Sequence, residues 1–214
     1  MKNSTALLVA LLALAASPAA HANLLTNGSF ELPAGTGENQ IIPGGNAVSV
    51  AGWTTTQNGV ERFSPSFYGF GAAADGSIVL DICPFTFTGG GITQTFTTTP
   101  GTQYTLQYQA TTVNSFGRTG DYVSTVSVGN VTQQFSGVNL SGTVAWRTFT
   151  VPFTAQTAST TLTFTNGQDA NTHFCLIDAV SVTSPAVVPE GGALSLLLTG
   201  SLALVVRMRR VRAR

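Results

Sequence analysis

The sequence predicts an all-β fold, two antiparallel sheets packed face to face as a jelly-roll sandwich. Three observations predict it. Between Asn23 and Pro185 no stretch carries the 3.6-residue apolar period of an amphipathic helix, while short runs rich in Thr, Val, Phe and Tyr recur. Several runs alternate with period two, which sends successive side chains to opposite faces of a sheet. Turn-forming clusters separate them, at Pro33-Ala34-Gly35, Pro43-Gly44-Gly45, Gly89-Gly90-Gly91, Pro100-Gly101 and Asn166-Gly167.

The runs can be taken in chain order. In "SIVLDIC", Ile78, Leu80 and Ile82 share one face and Cys83 falls on the other with Val79 and Asp81. "TQYTLQYQAT" puts Tyr104, Leu106, Tyr108 and Ala110 together. "WRTFTVPFTA" aligns Phe149, Val151 and Phe153, and "TTLTFTN" aligns Leu162 and Phe164. In "FCLIDAVSV", Val180 and Val182 mark one face, which leaves Cys175 opposite with Ile177 and Ala179. Thr fills the outward positions, a β-branched polar residue suited to a solvated sheet face.

Both ends of the chain differ from this middle. Lys2, an apolar run from Ala6 to Ala16 and Ala20-His21-Ala22 form a secretory signal with its cleavage site, so residues 1–22 are expected to be removed and Asn23 to start the mature chain. Export favours pairing of the only two cysteines, Cys83 and Cys175, and the face parity places both thiols off the main core. Two separate buried thiols are the alternative. At the other end, residues 186–214 hold an apolar run from Ala193 to Val206 followed by five arginines. That run is short against the ~20 residues that span a bilayer, and the arginines would hold the end on the cytoplasmic side. Residues 23–185 carry three arginines against eight carboxylates, an excess of five negative charges. Such a surface offers no phosphate-tracking patch, which argues against nucleic-acid binding.

Six fragments in order, "NLLTNGSFELP", "VAGWTT", "DGSIVLDI", "GGITQTFTTTPGTQYTLQYQA", "WRTFTVPFTAQTASTTLTFTN" and "CLIDAVSV", resemble the choice-of-anchor C family. The resemblance covers nearly all of 23–183 and implies a galactose-binding-like jelly roll over 23–185. The tail resembles a PEP-CTERM sorting signal, in which a Pro-Glu-Pro motif precedes a membrane segment and a basic end, and an exosortase processes the tail. Pro189 and Glu190 match that motif, while Gly191 stands where the second proline is expected. A tail anchor that is never cleaved is the alternative. Similar jelly-roll domains hold a structural calcium, and the resemblance maps its ligands to Glu31 and Asp178, with Asp75 as a third oxygen. Loop capping by the same carboxylates stands beside that reading.

No catalytic constellation emerges. His173 is the only histidine after the signal, and nothing in the sequence sets the separation of Glu61 and Asp75, the one imaginable glycosidase pair. Trp53 and Trp146 read as core packing. The Gly- and Ser-rich loop "RFSPSFYGFGAAADG" is different, because Phe63, Phe67, Tyr68 and Phe70 crowd it without strand alternation. Exposed, these rings could stack on a pyranose; buried, they would plug one end of the sandwich. The expectation is a secreted, non-enzymatic domain that binds glycan or exopolysaccharide at the envelope or in the extracellular matrix of a Gram-negative bacterium, anchored at least transiently in the membrane. The rival is a structural matrix protein that acts by protein–protein contacts and binds no sugar.

Overall fold

Eleven strands follow one another with no helix among the described residues: β1 (Asn39–Pro43), β2 (Thr54–Gln57), β3 (Gly59–Phe63), β4 (Val79–Asp81), β5 (Gly90–Thr97), β6 (Gln103–Thr111), β7 (Tyr122–Val128), β8 (Val131–Gly137), β9 (Arg147–Thr154), β10 (Ser159–Asn166) and β11 (Leu176–Thr183). The computed structural model describes residues 22–34, 39–85, 89–169 and 171–185. All pairings are antiparallel and build the two sheets of a jelly roll. One runs β1-β3-β4-β11-β6-β9 and the other β2-β5-β10-β7-β8. The expected signal peptide, apart from Ala22, and the sorting segment with Pro189 and Glu190 lie outside the described residues.

The main core fills the space between the sheets, and period-two alternation explains its membership. Tyr104, Leu106, Tyr108 and Ala110 of β6 all point inward, as do Leu162 and Phe164 of β10 and Val151 and Phe153 of β9. Tyr108 sits at the centre, with ring centroids 4.9 Å from Phe164, 5.1 Å from Phe135 and 5.3 Å from Phe149. Each large apolar side chain buried in this way contributes roughly 1.5–3 kcal/mol. A second cluster, Phe63, Phe70, Val79, Val113, Phe174 and Leu176, lies on the outer face of the six-stranded sheet and is covered by loops. The site described below grows from this second layer.

Two expectations are corrected. Cys83 and Cys175 do not pair; both are free, buried, and members of the main core. The parity argument fails in β11 because the strand carries a bulge between Asp178 and Ser181, with Ala179 at φ 52°. One extra residue there shifts every later side chain to the other face, so Cys175 and Ile177 point inward together with Val180 and Val182. Cys83 follows the last residue of β4, where the chain bends and the alternation ends. The two sulfurs have other partners: Cys175 Sγ lies 2.9 Å from Ser124 Oγ, and Cys83 Sγ lies 3.8 Å from the Gln168 carbonyl oxygen. The second correction concerns Gly90 and Gly91, read as a breaker but forming the start of β5. A Cβ on Gly90 would meet the Ile82 carbonyl oxygen at 2.4 Å, so close strand approach requires glycine there.

The segment before β1 is tied to the bulged strand. Leu24 N donates to Val182 O, and the Asn23 side chain both accepts from Val182 N and donates to Val180 O. Val180 N donates to Gly28 O, which draws Gly28 so close that a Cβ would sit 1.9 Å from the Val180 carbonyl oxygen. That neighbour is backbone held in the sheet and cannot move aside. Gly28→Ala is therefore expected to destabilise the protein by about 1–3 kcal/mol or more. A denaturant midpoint equal to that of the parent would refute the close approach.

Candidate functional site

On the outer face of the six-stranded sheet, Ile41, Glu61, Asp81 and Leu176 form one row across β1, β3, β4 and β11. Glu61 and Asp81 are therefore directly opposed carboxylates, and both are buried. Like charges in that relation destabilise a sheet unless other groups answer them. Asp81 is answered fully. Its Oδ1 accepts from Cys83 N at 2.8 Å and Cys175 N at 3.0 Å, and its Oδ2 accepts from Arg118 Nη1 at 3.2 Å. Burial pushes the Asp81 carboxyl up, while Arg118 and the two amides pull it down. Arg118 arrives from the loop between β6 and β7 and is itself buried. Its guanidinium lies 4.0 Å from the Phe174 ring centre and 5.3 Å from that of Phe85. Arg118 Nε has no hydrogen-bond partner among the described residues.

Glu61 is answered by neutral groups. The Tyr68 hydroxyl donates to Glu61 Oε1 at 3.1 Å, and the Asn39 amide bonds both Glu61 and the Tyr68 hydroxyl. Burial and then Asp81 push the Glu61 carboxyl up, against Tyr68, Arg118 and Asn39. Burial, followed by Glu61, pushes the Tyr68 phenol up to about 12, so it stays a donor at neutral pH.

Above this network opens a cavity of about 490 Å³. Asn39, Glu61 and Arg118 supply its polar groups, and Ile41, Tyr68, Phe85, Phe116 and Phe174 its apolar walls. Phe85 and Phe116 remain 63% and 66% exposed, which is unusual for rings with a core available a few ångströms away. Phe116 is also strained. It has φ 52°, Gly117 follows at φ 78°, and Arg118 N donates to Ser115 O across the tight turn. A phenylalanine in the left-handed region costs roughly 1–2 kcal/mol, so the turn gives up stability to hold an exposed ring over the cavity.

The aromatic loop divides. Tyr68 lines the cavity, whereas Phe63 and Phe70 are buried beneath it in the second core layer. Phe67 is 54% exposed and packs edge-on against Tyr68 at 5.0 Å, outside the cavity wall. Trp53 is core, its indole N–H donating to Asn27 O, and the half-buried Trp146 donates to Ala72 O. Asn39, Phe85, Phe116, Arg118 and Phe174 were missed by sequence reasoning. One signal was available: Arg118, one of only three arginines in 23–185, follows Phe116-Gly117 in a turn.

The expected calcium ligands do a different job here. Glu31 Oε1 accepts from Ser77 N and Ile78 N, and its Oε2 accepts from Ser77 Oγ. Asp178 Oδ2 accepts from Ala74 N and Asp75 N, and its Oδ1 from Ala179 N. Asp75 contributes its amide here and is exposed. The two carboxylates thus grip the 74–78 loop from opposite ends. Their oxygens face N–H dipoles that oppose a cation, and no group of three or more His, Cys, Asp or Glu comes together among the described residues. This donor set does not fit calcium. His173 is buried between Thr172 and Asn166, with burial lowering its pKa, and burial pushes the nearby Cys175 thiol well up.

The chain belongs to the family described as "Protein of unknown function (DUF642)", which matches residues 23–183. No curated protein matches it. Among solved structures it is similar to TmCBM61 in complex with beta-1,4-galactotriose, with TM-score 0.50, 16% identity, and coverage of 76% of this chain and 99% of that one. It is also similar to CBM4 (TM-score 0.44, 18% identity, 75% and 99% covered). A third is the CBM22-1 xylan-binding domain from Paenibacillus barcinonensis Xyn10C (TM-score 0.43, 14% identity, 70% and 94% covered). At 16% identity the likeness to TmCBM61 is one of fold.

Two outcomes test this description. Arg118→Met leaves Asp81 charged and buried, and should cost about 3–5 kcal/mol in denaturant unfolding. Adding Asp81→Asn should restore part of that loss; strict additivity would mean the pair is not coupled. Burial pushes the Asp178 carboxyl up to about 7, from an ordinary 3.8. A raised carboxyl stabilises the fold below the ordinary value and loses that contribution as pH rises through the folded one. Wild-type protein should therefore lose melting temperature relative to Asp178→Asn between these pH values, and a chelator should change neither.

Proposed function

We propose that this family member is a non-enzymatic glycan-binding protein and that the cavity on the outer face of the six-stranded sheet is its ligand site. The observation that carries the reading is the cavity's chemistry: aromatic walls beside a carboxylate, an amide and an unpartnered guanidinium N–H. A pyranose has an apolar C–H face and a rim of hydroxyls, and needs both. Tyr68 and Phe116 would take the face. Glu61 and Asn39 would take hydroxyls, and the buried network holds them in position in advance. The jelly roll shared with carbohydrate-binding modules supports the reading at the level of fold. Asp81 and Glu61 adjoin but serve Arg118 and Tyr68, and are not set across an open space as a pair for bond cleavage.

The setting belongs to the same proposal. Residues 1–22 act as an export signal, and residues 186–214 hold the protein in the membrane until an exosortase acts at Pro189-Glu190. Polysaccharide at the envelope or in the surrounding matrix of a Gram-negative cell is then the available ligand. Mass spectrometry of the native protein should find Asn23 first and the terminal arginines gone.

A glycan array followed by calorimetry tests the site. Tyr68→Ala should weaken binding by about tenfold, the worth of one ring contact. Phe116→Asn should weaken binding and at the same time stabilise the turn by about 1 kcal/mol, because asparagine tolerates the left-handed region. A protein that binds no glycan and loses a protein partner in both variants would favour the structural-matrix role.

A further inference from the structure

The charge balance of the cavity narrows the ligand. Glu61 from β3 and Arg118 from the β6–β7 loop line the cavity, with Tyr68 and Asn39 as neutral neighbours, and Asp81 of β4 lies buried beneath them against Arg118. Arg118 is committed. Its Nη1 holds Asp81 and its flat face covers Phe174 at 4.0 Å. Asp81 is likewise satisfied by that guanidinium and two backbone amides. Glu61 is left as the one carboxylate at the cavity whose hydrogen bonds come from the neutral Tyr68 hydroxyl and Asn39 amide. It is 95% buried by its 5% exposure, beside a second carboxylate, and lacks a cation of its own among the described residues.

The walls match that deficit. Tyr68, Phe85 and Phe116 present ring surfaces to the same cavity, and the negative face of an aromatic ring attracts a desolvated cation. An acid with no ion-pair partner, beside aromatic rings, favours a protonated amine and repels a carboxylate. We propose that this cavity takes a protonated amino group, so that the glycan bound by the site carries free amino sugars in preference to N-acetylated, neutral or uronic ones. The inference rests on the glycan-binding reading above. The ammonium would sit between Glu61 and the aromatic walls. A cationic group on the ligand would favour the ionised form of Glu61 by supplying the partner it lacks.

The test uses the purified protein and three oligosaccharide series of equal length: glucosamine oligomers, their N-acetylated counterparts and oligouronates. The expected result is binding of the glucosamine oligomers at least about tenfold tighter than the N-acetylated ones, the usual worth of a charge-assisted hydrogen bond, with no uronate binding. Glu61→Gln keeps the side-chain shape and one acceptor, and should reduce that preference to about twofold or less by removing the charge. Equal binding of amino and N-acetylated series, lost in Tyr68→Ala, would overturn the amine proposal and leave glycan binding intact. Preference for uronates, or an undiminished amine preference in a folded Glu61→Gln, would also overturn it. Binding of no oligosaccharide would remove both readings. Should Glu61→Gln fail to fold, the wild-type comparison of amino with N-acetylated oligomers still decides.

Discussion

The site depends on one carboxylate. Asp81 has no solvent exposure, and its two oxygens collect an amide from each of two adjacent chain segments and a guanidinium from a third. It thereby fixes the exit of β4, the entry of β11 and the loop between β6 and β7. Phe85 follows the first, Phe174 precedes the second, and Phe116 stands in the third. Without that anchor the three rings belong to three independent loops. A buried ion pair is weak evidence for stability, because desolvation offsets much of its attraction. Its worth here lies in position: a guanidinium that bonds one acid and covers one ring has a single orientation.

The four acids near this face show how context divides one chemistry into different roles. Glu31 and Asp178 end on backbone N–H groups and shape a loop. Asp81 ends on a cation, and Glu61 on a phenol and an amide. Loop clamp, anchor and cavity wall are thus distinguished by their partners and not by residue type. This also explains why the sequence suggested pairing Glu61 with Asp75, whereas the fold sets Glu61 opposite Asp81.

Much of the fold was legible in the sequence, and the exceptions have physical causes. Strands β6, β9 and β10 keep strict alternation, so their inward residues could be named from period alone. In β11 the bulge at Ala179 breaks the period, and an alanine at φ 52° carries no mark of it, as glycine or asparagine would. The misplacement of Cys175 follows from that single residue. Gly90 and Gly91 carried the opposite ambiguity, since glycine signals both a turn and a place where backbones touch. For the site, the aromatic loop was visible as a cluster, yet only Tyr68 of it reaches the cavity. Its other walls come from residues 85, 116 and 174, which no local pattern joins. Tertiary structure alone brings them together.

The tie between Asn23 and Val182 has a kinetic consequence. These residues are 159 positions apart, and the side chain of the first closes on the backbone of the last strand. β11 also sits in the middle of its sheet, between β4 and β6. Contacts of such long range carry the loop-closure entropy of nearly the whole domain before they return anything. The N-terminal segment, although synthesised first, cannot dock until the strand that completes the central sheet has emerged. The domain therefore folds late, as a closed ring of contacts and not as a growing one, and it takes its native form in whatever compartment holds the finished chain.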